Sequence, residues 1–429
     1  MRSHVRGLVE EHAAERLALV VGVLTGVLGV ALAASEFQTD PQLDYHAYYF
    51  AGRAVLRGEP FVGTAIHEGT FLTVKEYVYT PITAPVFAPY GLLPSWQIGY
   101  VLNVAVLLAT FYAIGRITIR YIERHGVTLD RTDRWLILGF SLFSGHTILA
   151  LYRGNVDPIM LLLIVLGFLA LERGEETRGG VLWAVAALFK LFPAFLGVWL
   201  LYRRAYRAIA AAVVTGVGFL LLGVALFGID AHVEFVEFIL NERSRQGAFK
   251  GGLDPTITWI TLRRPLSQVV PLSGNQLIVL SAAIMAPFVY LIYREAETEL
   301  DRTVAFFATM LVLLITIVPS TLNYVVYLYF PVVALLYLAT DRRTKYLFVA
   351  GLILVSLPVY PQHVEMLVSA TPLSPGLVEA IMGVVRGAMS FASVPLVGFG
   401  LLLAGCLRYV RLPTPATGAG ADPVVEARE

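Results

Sequence analysis

Apolar runs of about 15–22 residues recur along the whole chain, each near the length that crosses ~30 Å of hydrocarbon as a helix. Short stretches that hold most of the arginines separate them. The pattern predicts an all-α polytopic membrane protein with about twelve crossings: 17–34, 95–115, 135–151, 156–171, 179–189, 195–202, 206–227, 277–293, 304–318, 324–340, 346–357 and 391–408. The first run follows a charged amphipathic start without an A-x-A cleavage pattern and reads as a retained span.

Two features break this regularity. In AVAALFKLFPAFLGVW, Lys190 and Pro193 interrupt an apolar run. A charge at bilayer depth costs roughly 2.5–3.5 kcal/mol on insertion scales and is generally kept for a ligand or a partner. Pro193 removes a helical hydrogen bond at the same place, which is tolerated where protein or a wet cavity re-satisfies the backbone. The bland reading of Lys190 is a lysine snorkelling from a kinked helix. The second feature, PITAPVFAPYGLL (81–93), is short and broken by prolines and reads as a re-entrant or interfacial segment.

Arginine and lysine favour cytoplasmic loops, which orients the chain. Arg116, Arg120, Arg124, Arg131 and Arg134 crowd one loop, and Arg203, Arg204, Arg207, Arg342, Arg343 and Lys345 form similar groups. Placing all of them inside puts both termini in the cytoplasm and the loops 35–79, 228–276 and 360–390 outside. It also requires 179–202 to be a hairpin that turns at Lys190–Pro193. Lys190 then lies at the floor of an outward-facing cavity. Residues 1–410 read as one transmembrane domain, and the Pro/Gly/Ala-rich 411–429 as a disordered cytoplasmic tail.

Composition narrows the function. Hydrophobic residues make up 57% and charged ones 15% of the chain, against roughly 25% charged in soluble domains. The net charge of +1 and the lack of a basic tract argue against nucleic acid. The single cysteine, Cys406, excludes an internal disulfide framework and a cysteine metal site. No P-loop, HExxH, GxSxG or dinucleotide fingerprint occurs, and the outer carboxylates do not cluster as a metal cage.

The chemistry then rests on the outer loops. In TDPQLDYHAYYFAGRAVLRGEPF, Tyr45, Tyr48, Tyr49, Gly52, Val55 and Leu56 recur at helical spacing, and His46, Arg53 and Arg57 share the other face. This predicts an amphipathic helix in the outer interface, its tyrosines at headgroup level. Asp44 stands immediately before it. It suits a helix N-cap and equally a general base that takes a proton from an incoming hydroxyl. Asp40, before Pro41, reads as a turn residue. The tight YRGNVDP turn carries Arg153, Asn155 and Asp157, with helix capping as the plain alternative for Asp157. PSTLNY carries Asn323 and Tyr324 at the head of a span, with ordinary turn chemistry as theirs. Arg243, Arg245 and Lys250 lie outside against the usual charge bias, where arginine forks suit phosphate.

The order of Asp44–Tyr45, then L-R-G-E-P-F (56–61), Tyr79 two residues before Pro81, the G-N-x-D turn (154–157) and K-x-x-P (190–193) resembles glycosyltransferase family 87 over roughly 17–324. The resemblance implies a GT-C-type bundle and a polyprenyl-phosphate-mannose-dependent α-mannosyltransferase, a hexosyltransferase of the plasma membrane acting on its outer face. It makes Asp44 the catalytic aspartate and Lys190 the lysine near the donor phosphate. Arg153, Asn155, Asp157, Tyr79, Asn323 and Tyr324 become donor-side residues; Tyr45, His46, Arg53, Arg243 and Arg245 lie toward the interface and the acceptor. It implies no metal and no cofactor beyond the lipid-linked sugar; the partners are membrane lipids and a glycan or glycolipid acceptor. The chain departs from the pattern twice: Gly154–Asn155 stands where the family turn more often reads Gly-Gln, and Asn323 where related proteins often carry histidine. A transporter of lipid-linked sugars is the rival reading, with Lys190 in a midplane site. Such proteins often show internal repeats, and none is visible.

Overall fold

A computed structural model describes residues 12–39, 43–62, 76–241, 246–318 and 320–411. The tail 412–429, Arg243, Arg245 and Asp40 fall outside the described residues. Among the described residues the chain is helical, with one isolated β-bridge between Val62 and Tyr77. The helices are α1 (Ala13–Thr39), α2 (Tyr45–Arg57), α3 (Ala88–Gly91), α4 (Trp96–Arg124), α5 (Arg131–Phe143), α6 (Gly145–Arg153), α7 (Asp157–Glu172), α8 (Glu176–Phe189), α9 (Gly197–Tyr202) and α10 (Tyr206–Asn241). They continue with α11 (Arg263–Val269), α12 (Gly274–Arg294), α13 (Glu299–Thr316), α14 (Tyr329–Leu338), α15 (Arg342–Ser356), α16 (Pro361–Ser369), α17 (Pro375–Phe391) and α18 (Val394–Val410).

Among the described residues, five helices are long and apolar enough to cross a membrane alone, or up to seven when the bent pairs α15–α16 and α17–α18 each count as one span. Of the other runs, α7 has 16 residues and α8 has 14, 304–318 falls largely in the 18-residue α13, and 195–202 and 324–340 are part 3₁₀ and part α-helix. Most side chains of α7 and α8 are buried or half-buried within the protein. α10 lies at the other extreme, with Val213, Val214, Leu221 and Leu226 exposed. An apolar surface of that length suits hydrocarbon and would not survive in water.

Three 3₁₀ segments position the site: Pro81–Phe87, Phe192–Leu196 and Leu322–Leu328. Each runs straight into an α-helix (α3, α9 and α14). Prolines at the first turns of the first two explain the local geometry, since a proline there loses no intrahelical hydrogen bond. Lys190 sits at the second break in extended conformation, φ −134° and ψ 126°. The chain then reverses: Arg203, just past α9, pairs with Glu172 at the end of α7. The Arg207 amide also donates to the Glu176 carboxylate at 3.2 Å. Residues 176 and 207 therefore lie at one end and Lys190 at the other. Gly180 makes this antiparallel packing possible, because a β-carbon there would stand 2.1 Å from the Ala208 carbonyl oxygen.

Ion pairs, several with one partner buried, pin the end opposite Lys190. Glu172 holds both Arg203 and Arg302, and Arg16 bridges Asp130 and Asp133 at 2.8 Å each. Lys345 meets Glu15, and Arg408 meets Asp341. These are helix termini that the arginine distribution assigns to a single side. We expect Thr177→Cys and Tyr206→Cys, each in a Cys406→Ala background, to be labelled by an impermeant thiol reagent from the same face of the membrane. Labelling from opposite faces would show that 179–202 crosses once.

Candidate active site

α2 differs from its sequence expectation. It is packed inside the protein, with Tyr45, His46, Tyr48, Tyr49 and Phe50 all at most 3% exposed. Tyr45 stands edge-on to Tyr90 (5.5 Å) and Tyr100 (5.7 Å), His46 edge-on to Trp96 (4.6 Å), and Tyr48 stacks on Phe87 (4.6 Å, 11°). The tyrosines thus fasten α2 to the 81–93 segment and α4 instead of standing among headgroups. Helical periodicity finds an apolar face but does not say whether lipid or protein covers it. Arg53 lies over the Tyr49 ring at 5.9 Å. Asp44 occupies the N-cap position of α2, yet its side chain makes no capping hydrogen bond, and the residue is half-buried.

The turn between α6 and α7 supplies the centre. Gly154 ends α6 in the left-handed region (φ 63°), which glycine adopts without strain. Asn103 donates from Nδ2 to the Gly154 carbonyl at 2.8 Å and clamps the turn. Asn155 Oδ1 accepts from the Asp157 amide at 3.2 Å, and the Val156 amide donates to the Tyr48 hydroxyl at 3.4 Å. Arg153 is half-buried in the same turn.

Asp157 is fully buried. Its carboxylate pairs with the Lys190 ammonium and accepts from the Tyr327 hydroxyl (2.7 Å) and from Asn323 Nδ2 (2.9 Å). Lys190 also lies 4.3 Å above the Tyr324 ring centroid. Residues of the third 3₁₀ segment therefore close on the lysine at the second break and on its carboxylate partner. Thr80 completes the convergence by donating to the Leu188 carbonyl at 2.7 Å, and Tyr79 meets Phe189 ring to ring at 6.1 Å.

Tyr48 and Tyr79 share a hydrogen bond of 2.7 Å. Burial raises both phenols well above their usual range; the Asp44 carboxylate adds to the effect at Tyr48, while Lys190 opposes it at Tyr79. Both stay protonated at neutral pH, and the pair lies within electrostatic reach of Asp44 on one side and of Lys190 on the other.

Of the residues named from sequence, Lys190, Asp157, Asn155, Asn323, Tyr324 and Tyr79 converge, with Arg153 in the adjoining turn. Asp44 approaches through Tyr48. Tyr45, His46 and Arg53 are packing partners of α2. Tyr48, Thr80 and Tyr327 were not singled out. Tyr327 reaches the same carboxylate as Asn323 from within the 3₁₀ segment Leu322–Leu328, a geometry that sequence spacing does not show. Tyr48 looked like one tyrosine among several.

The fold is that of a helical membrane protein with a charged pair inside its bundle, where three broken segments meet. The model of glycosyltransferase family 87 matches residues 77–321, more than half of the chain, and the chain belongs to that family. It is a membrane glycosyltransferase. No curated protein matches the chain.

Removing one partner from a buried ion pair strands the other charge and typically costs about 3–5 kcal/mol. Lys190→Gln alone should therefore lower the thermal midpoint in detergent strongly, and Lys190→Gln with Asp157→Asn should recover much of the loss. Additive losses in a double-mutant cycle would contradict a coupled pair.

Proposed function

We propose that the chain moves a sugar from a polyprenyl or dolichyl phosphate to a hydroxyl of a glycan or glycolipid, at the outer face of the plasma membrane. The sugar is mannose by the resemblance to polyprenyl-phosphate-mannose enzymes, and the fold GT-C-like on the same ground. The observation that carries the reading is Lys190, held at the convergence of three helix breaks and connected through Tyr79 and Tyr48 to the neighbourhood of Asp44. A lipid-phosphate donor stays in the bilayer, so its phosphate must meet a cation there, and its leaving group needs no protonation.

In this reading Asp44 accepts the proton of the acceptor hydroxyl as its oxygen attacks the anomeric carbon. The bond from that carbon to the phosphate oxygen breaks on the opposite face, and the phosphate departs with the electron pair. One displacement inverts the anomeric centre, with Asp44 as a single base. Lys190 has three N–H donors; Asp157 takes one, which leaves others for phosphate oxygens. A buried carboxylate repels phosphate, so Asp157, with Asn323 and Tyr327, serves to orient the lysine and not to touch the donor. Tyr79, within electrostatic reach of Lys190, and Arg153 of the adjoining turn would complete the phosphate's surroundings.

The test is transfer from radiolabelled polyprenyl-phosphate-mannose to a panel of glycan and glycolipid acceptors. Asp44→Asn should abolish transfer and leave donor binding intact, since asparagine keeps the size and shape of aspartate but does not act as a base at neutral pH; near-normal turnover would remove Asp44 from the mechanism. In the Lys190→Gln, Asp157→Asn protein, donor affinity should fall by about 1.5–3 kcal/mol, the range for hydrogen bonds to charged groups. Unchanged affinity would separate Lys190 from the phosphate.

A further inference from the structure

The Tyr48–Tyr79 pair has a property that its distances alone do not express. Each phenol has one hydrogen to donate and room to accept two bonds. The Val156 amide occupies one acceptor position on Tyr48, and the 2.7 Å contact with Tyr79 uses one hydrogen from either ring. Both directions are therefore allowed. In one, Tyr79 donates to Tyr48, and the Tyr48 hydrogen is free to turn toward Asp44. In the other, Tyr48 donates to Tyr79, and the Tyr79 hydrogen turns toward the end of α8, where Lys190 follows Phe189.

The geometry at each end suits this. Asp44 is in helical conformation (φ −66°, ψ −26°) and stands four residues before Tyr48, which places the two on one face of α2. Tyr79 packs on Phe189, and its neighbour Thr80 is bonded to Leu188. Stacking of Tyr48 on Phe87 fixes the ring, and a phenolic hydrogen keeps two in-plane orientations about a fixed ring. Tyr48 is 2% exposed and Tyr79 7%, so bulk water does not short-circuit the link.

We infer that Tyr48 is a positioning residue whose hydrogen bond with Tyr79 reverses direction during sugar transfer, so that the hydroxyl pair donates toward Asp44 before the reaction and toward the departing lipid phosphate after it. The inference rests on the assignment of Asp44 as base. Before transfer Asp44 is a carboxylate and draws a donor. Transfer moves the acceptor's proton to Asp44 and leaves an additional negative charge on the phosphate as the bond to the anomeric carbon breaks. The demand for a donor passes from one end of the pair to the other. Two O–H rotations meet it, and no proton leaves either phenol.

Three variants test this: Tyr48→Phe, Tyr79→Phe and the double substitution. Each removes hydroxyls and keeps the rings. We expect each single change to lower kcat about tenfold, the scale of one buried hydrogen bond. The double variant should be little worse than either single, because a broken link cannot be broken again. Tyr48→Phe should leave donor KM within about twofold, which a structural role in the donor pocket would not. An unchanged kcat for Tyr48→Phe, or multiplicative losses in the double variant, would overturn the inference. If Tyr48→Phe fails to fold, Tyr79→Phe, which keeps the Val156 bond to Tyr48, decides: an unaltered kcat there overturns it equally. Asp44→Asn separates the two readings. Substantial turnover in that variant removes the base, and the reversal with it; an inactive Asp44→Asn beside a fully active Tyr48→Phe removes the reversal alone.

Discussion

The Asp157–Lys190 ion pair is the constraint on which the rest of this architecture depends. Neither charge is tolerable in hydrocarbon alone, and together they are costly unless every remaining hydrogen-bonding position is filled. Tyr327 and Asn323 fill the carboxylate's side of the pair and the Tyr324 ring faces the ammonium, and all three come from a segment more than 130 residues away from Lys190 in the chain. The 3₁₀ breaks follow from the same need. A continuous helix would keep its backbone groups to itself and carry Lys190 past the carboxylate; an extended residue between α8 and Phe192–Leu196 turns the side chain to meet it. The pair determines where the chain must stop being helical.

The far end of the bundle shows the same physics with a different result. α7 begins at Asp157 and ends at Glu172, roughly 23 Å away at 1.5 Å per residue. Glu172 also holds cations, but two arginines surround it, and each can fork across both carboxylate oxygens. That end is a lock. At the other end a lysine leaves N–H donors unspent, and the neighbours are phenols and an amide rather than further charges. One helix thus carries at its two termini an ion pair closed by a second arginine and one whose lysine keeps N–H donors unspent.

Much of this was legible in the sequence. A lysine and a proline three residues apart inside an apolar run mark a break that has to be satisfied, and arginine counts alone required 179–202 to fold back. Arg203 beside Glu172 is the structural counterpart of that counting. Asp157 as the partner of Lys190 was not legible, since 33 residues separate them and nothing in spacing joins a tight turn to a distant break. α2 misled for another reason. Its tyrosines have the periodicity of an interfacial helix, but the 81–93 segment folds over them. Proline content marks that segment as a broken one without saying what it will cover.

The ion pair also bears on turnover, given the proposed chemistry. A lipid phosphate gains charge when the sugar leaves, so a bare lysine in a low-dielectric site would bind product more tightly than donor and slow its release. Asp157 offsets this by holding part of the lysine's field at all stages. It costs some donor affinity and returns it as product release, which suits an enzyme better than tight binding of both. Replacing Lys190 with arginine would supply more donors but spread them in a planar fork that Asp157 could occupy twice. The lysine's single ammonium, shared between a fixed carboxylate and an arriving phosphate, divides its charge where a fork would commit it.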